Sequence, residues 1–117
     1  MKVLNKEIFD IHASFCRTIA NPQRLIIITG LGKREMTVGE IAELLELPLA
    51  NTSQHLKALR DRDIVKTRKQ GQKIFYSLND PNLVEACNAI RRIILDLYKR
   101  KGQLIGGQTD IQHLISE

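Results

Sequence analysis

Apolar residues first recur at Leu4, Ile8, Ile11, Phe15 and Ile19, the three-to-four spacing of one helical face, so the chain is expected to open with an amphipathic helix. Asn21-Pro22 then restarts it: asparagine is a good N-cap and proline suits the first helical position. The helix that follows, with Leu25, Ile26, Ile28 and Leu31, is apolar on most sides and ends near Gly30 to Gly32, which predicts a buried strut. Thr37-Val38-Gly39-Glu40 fits a capping box, in which the threonine and glutamate side chains each satisfy an orphan backbone N–H. It predicts a short helix with Ile41, Leu44 and Leu45 turned inward. Pro48 disfavours a helical Leu47 and can open a further helix, from about Leu49 to Arg62. That helix is expected to bury Leu56 and Leu59 and to show Asn51, Thr52, Gln54, His55 and Lys57.

Downstream the period changes from helical to alternating. Residues 64–68 and 73–78 alternate apolar and polar positions around Gln70-Gly71-Gln72, the pattern of a β-hairpin. Asn79-Asp80-Pro81 is expected to cap a last long helix running to Lys101 and stopped by Gly102. Gly106-Gly107 then predicts a flexible linker and a short amphipathic piece around Thr109 to Ile115. The expected organisation is one domain over 1–102 and a tail over 103–117. The fold class is mostly α with a small β-hairpin, a winged helix-turn-helix.

Composition narrows the function classes. With 117 residues there is room for one core. No apolar run approaches the roughly 18 residues of a membrane span, and the N-terminus lacks the apolar stretch of a signal peptide, so a cytoplasmic protein without a membrane partner is expected. Two cysteines, Cys16 and Cys87, are too few for a disulfide scaffold. The net charge of +5 is a weak hint of a polyanion partner, but its placement says more. Lys57, Arg60, Arg62, Lys66, Arg68, Lys69 and Lys73 lie between His55 and Lys73, opposed by Asp61 and Asp63.

Two short helices joined by a tight turn, then a basic hairpin, have a geometric use. The major groove of B-DNA admits one α-helix, whose N-terminal half reaches the base edges. Asn51, Thr52, Ser53, Gln54 and His55 supply the amide, hydroxyl and imidazole groups for that reading, while Lys57 and Arg60 suit phosphates. Arg68, Lys69, Gln70, Gln72 and Lys73 bracket the hairpin turn and suit a wing resting on the neighbouring backbone or minor groove. The expected partner is therefore double-stranded DNA. A protein-docking winged helix is the alternative, but it should display exposed apolar anchors instead of this polar run. An enzyme is not expected: there is no phosphate loop, zinc-protease motif or strong nucleophile–base pair.

The stretch Leu49-Ala-Asn-Thr-Ser-Gln-His-Leu-Lys-Ala-Leu-Arg60, with Ile64-Val65, residues 71–78 and Ala20-Asn-Pro-Gln-Arg-Leu25, resembles the ArsR/SmtB family of repressors over roughly residues 10 to 100. The resemblance implies a dimer that blocks transcription until an inducer weakens its grip on DNA. The residues also point to a homodimer joined through the first and last helices. In the last helix Leu83, Cys87, Ile90, Ile94 and Leu97 are spaced four and three apart, the seam of a helix pair, and Ile8, Ile11 and Phe15 of the first helix would join it.

The resemblance also says where family members sense. One metal site is a Cys-x-Cys at the start of the third helix, where this chain has Thr37 and Gly39. Another lies on the last helix, where Asp80, Asn82, Ile93 and Asp96 stand and both histidines are missing. No metal and no cofactor is therefore expected at those places. A branch that reads reactive sulfur or oxidants uses a cysteine pair, for which Thr29 and about Lys99 would be the matching positions. Cys16 and Cys87 could instead form a redox switch, with His12 one turn before Cys16. A Cys/His metal site and purely structural cysteines remain open alternatives. The inducer stays unknown, a thiol oxidant or reactive sulfur being favoured over a metal.

Overall fold

The computed structural model describes residues 5–102, so Leu4, His113 and the 103–117 tail lie outside the described residues. The element order is α1 (Lys6–Ile19), α2 (Pro22–Leu31), β1 (Met36–Thr37), α3 (Val38–Leu45), α4 (Leu49–Asp61), β2 (Val65–Gln70), β3 (Lys73–Leu78) and α5 (Asn82–Arg100). The chain divides into two compact units between Pro81 and Asn82.

The first unit is built around α2. Asn21 caps it by accepting from the Arg24 N–H at 3.2 Å, with Pro22 in the first turn. Ile27, Ile28 and Leu31 of α2 meet a core completed by Met36, Ile41, Ala42, Leu56, Leu59, Ile64, Val65 and Leu78, but Ile26, expected in the buried strut, is exposed and Leu25 is half-buried. Helices α2 and α3 approach closely at Gly30, where an added Cβ would lie 2.7 Å from Leu44 Cδ2. Leu44 itself is largely exposed, and Ala42 is buried beside Ile41 in its place.

Helix α3 starts with the expected capping box: Thr37 Oγ1 accepts from the Glu40 N–H at 3.3 Å, and Glu40 Oε1 accepts from the Thr37 N–H at 2.9 Å. The Thr37 N–H foremost, and then the Arg34 guanidinium donating to Glu40 Oε2, hold the Glu40 carboxyl below the usual carboxylate range. Both α3 and α4 end in Schellman motifs without glycine. Glu46 (φ 55) and Asp63 (φ 58) adopt the left-handed conformation. The N–H groups of Leu47 and Ile64 then reach back to the carbonyls of Ala42 and Leu59 at 3.1 and 3.0 Å.

The sheet has three antiparallel strands in the order β1-β3-β2, one more than expected. Strand β1 is two residues long, too short for alternation to show in sequence, and it pairs Met36 with Tyr76 and Thr37 with Phe75. The hairpin closes Gln70 on Lys73 through Gly71-Gln72, with Gly71 at φ 62, the position where a two-residue hairpin turn favours glycine.

The second unit is α5. It starts just after Pro81 and stops before Gly102 (φ 68). The Asn79 amide N–H, in the segment expected to cap it, donates to the Asp63 carbonyl at 2.7 Å. Cys87 and Leu95 are buried, whereas Ile90, Ile93, Ile94, Leu97 and Tyr98 are exposed.

Candidate nucleic-acid interface

Helix α4 sorts its residues by period. Leu56 and Leu59 anchor the inner face, and Thr52, four residues before Leu56, falls on the same side. Thr52 is fully buried, with its hydroxyl donating to the Pro48 carbonyl at 3.0 Å. This corrects the expectation that Thr52 belongs to the exposed run. The 52/56/59 spacing carried the signal, but a polar side chain masked it. Pro48 offers α4 no side-chain cap, and the Thr52 bond to the Pro48 carbonyl satisfies the buried hydroxyl itself.

Asn51, Ser53, Gln54, Lys57 and Arg60 are exposed, as expected. Lys57 pairs with Asp61 at 2.9 Å, an exposed i,i+4 contact of the kind worth well under about 1 kcal/mol. Such a pair is readily exchanged for a phosphate.

His55 is half-buried, not freely exposed. Its Nδ1 accepts from Arg24 Nε at 3.2 Å, while Arg24 Nη1 donates to the Thr18 carbonyl at 2.8 Å. One guanidinium thus joins the end of α1 to the middle of α4. Burial, and then the Arg24 charge, push the His55 imidazole below its ordinary range. Sequence reading passed over Arg24 because its partner lies 31 positions away.

On the wing, Arg68 makes several contacts within the protein while remaining exposed. Its Nε donates to Glu35 Oε2 at 2.9 Å, and its Nη2 also contacts Glu35 Oε1. Nη1 donates to Gln70 Oε1 at 2.8 Å, and the guanidinium lies 4.6 Å from the centre of the Phe75 ring. The Arg68 hydrogen bonds hold the Glu35 carboxyl below its usual range. Arg68, expected to face DNA, thus ties β2 to the segment before β1 through a solvent-exposed ion pair, and both it and Gln70 stay exposed. Lys66, Lys69, Gln72 and Lys73 are likewise exposed around the turn.

Neither cysteine is in a disulfide; Cys16 is exposed and Cys87, expected in the dimer seam, is buried. The exposed stripe of α5 is displaced toward Ile90, Ile93, Ile94, Leu97 and Tyr98, and Leu83 is half-buried. On α1, Ile8, Phe9 and Ile11 are exposed and Phe15 is half-buried. Among the described residues no three His, Cys, Asp or Glu side chains gather as a metal site, and no helix is long and apolar enough to cross a membrane.

A helix-turn-helix with an exposed polar second helix and a lysine-bearing wing defines a winged-helix DNA-binding protein. The model of the bacterial regulatory proteins of the arsR family matches residues 21–67. The transcriptional repressor PagR of Bacillus anthracis is 38% identical over 72 residues, 61% of this chain and 72% of that one. The transcriptional activator HlyU of Vibrio cholerae is 36% identical over 77 residues, 66% of this chain and 71% of that one. The crystal structure of NolR from Sinorhizobium fredii matches with a TM-score of 0.70 at 36% identity, covering 80% of this chain and 96% of that chain. The chain belongs to the arsR family and is a DNA-binding transcriptional regulator, not an enzyme. The alternative of a docking module that does not bind DNA is set aside.

Proposed function

We propose that this regulator acts as a homodimeric repressor whose α4 helices read the operator and whose wings hold the flanking backbone. The observation that carries the reading is the exposed run Asn51, Ser53 and Gln54 on α4, with Lys66, Lys69 and Lys73 on the wing. Gln54 and Asn51 have the amide geometry for adenine, and the lysines suit phosphates. The apolar residues exposed on α1 and on α5 favour a second copy as the partner. Two α4 helices in successive major grooves would then stand roughly 34–36 Å apart.

Release from DNA is assigned to an inducer, with a thiol oxidant or reactive sulfur species favoured over a metal because Cys16 presents an exposed free thiol. A gel shift on the DNA upstream of the protein's own coding sequence tests the reading. Wild type should discriminate that fragment from unrelated DNA. Gln54→Ala should lose roughly 1–3 kcal/mol of the discrimination with its circular dichroism unchanged. Discrimination kept by the variant would sink the role of α4. Transcription in vitro from the same fragment should fall when protein is added, and a rise would overturn repression. Peroxide or polysulfide should release the wild type but not Cys16→Ser, whereas an equal response of both would remove the thiol from the account.

A further inference from the structure

We propose that Arg24 is a positioning residue that locks His55 in one tautomer, so that α4 presents an Nε2–H donor to an acceptor oxygen or nitrogen of DNA. The inference rests on the reading of α4 as the DNA-facing helix and adds a residue from outside it. Guanidinium groups only donate, so Nδ1 of His55, as the acceptor in the Arg24 contact, carries no proton. A neutral imidazole then bears its single proton on Nε2.

Arg24 is itself fixed from two sides, its backbone N–H by Asn21 and its guanidinium by the Thr18 carbonyl. Nε2 makes no hydrogen bond within the fold, and among the described residues no buried side-chain nitrogen or oxygen lacks a partner. Nε2 therefore reaches solvent, on the helix that also exposes Gln54 beside it. A solvated histidine would offer an interchanging pair of tautomers, donor or acceptor. This one offers a donor alone, which matches a phosphate oxygen or a purine acceptor and rejects an amino group.

Nitrogen NMR of the wild-type imidazole is the first test. His55 should show a bare Nδ1 and a protonated Nε2 near neutral pH, and a protonated Nδ1 would overturn the proposal even if DNA binding is intact. In Arg24→Ala the ring should become a tautomer mixture and titrate at higher pH, with operator affinity down about tenfold. An unchanged tautomer in that variant would also refute the role of Arg24.

Two substitutions separate positioning from folding. His55→Asn keeps an acceptor near the Nδ1 position but has nothing at Nε2, whereas His55→Gln keeps a donor at the Nε2 position. With both variants folded, the Asn variant should bind the operator more weakly than the Gln variant. Equal binding would defeat the outward donor. A loss shared by operator and unrelated DNA assigns the acceptor to phosphate, and a loss confined to the operator assigns it to a base edge. Failure of wild type to bind any DNA would overturn the parent reading of α4, which the NMR result does not depend on.

Discussion

Helices α1 and α4 are similar in length, yet they divide their surfaces in opposite ways. Helix α4 buries Thr52, Leu56 and Leu59 and turns amides, hydroxyls and cations outward. Helix α1 has no fully buried residue and leaves Ile8, Phe9 and Ile11 in solvent. A polar exposed face on a well-anchored helix suits a hydrated, charged partner such as DNA. An apolar exposed face on a loosely anchored one asks for another protein surface, because leaving such area in water is unfavourable.

Three substitutions would break or sharpen this contrast. Leu59→Ala should have the largest effect. It removes a fully buried side chain beneath α4 and should cost about 2–5 kcal/mol in urea unfolding. A cost under about 1 kcal/mol would mean that α4 is not anchored as described. The double change Ile8→Ser and Ile11→Ser should move stability by only about 1 kcal/mol or less. It should nevertheless shift sedimentation toward monomer and weaken operator binding. A dimer that survives it, and survives Ile94→Ser on α5 as well, would free α1 from the interface. Glu46→Gly should have the smallest effect, a gain of roughly 0.5–1 kcal/mol, because the turn into α4 places a glutamate in the left-handed conformation that glycine adopts without strain. A loss would show that the Glu46 side chain contributes more than its backbone costs.

Local rules were legible wherever the interaction is short in sequence. The Asn21-Pro22 start, the Thr37/Glu40 capping box, the break at Pro48, the hairpin about Gly71 and the stop at Gly102 each depend on residues within a few positions of one another. They were read correctly. Strand β1 was missed because two residues cannot show a period. The Asn79 amide N–H bond to the Asp63 carbonyl, sixteen residues back, is not visible in spacing along the chain.

The sequence by itself determined the order of elements, the polar run on α4 and the membership those residues announce. Periodicity and capping are written in neighbouring side chains, so no tertiary contact is needed to read them. Only the tertiary structure decided which members of the polar and basic runs remain available. It buried Thr52 on the inner face of α4, paired Arg68 with Glu35, buried Cys87 and set Arg24 against His55. Hydrogen bonds and ion pairs form between whatever the fold brings within about 3 Å, and that proximity is not encoded in spacing along the chain.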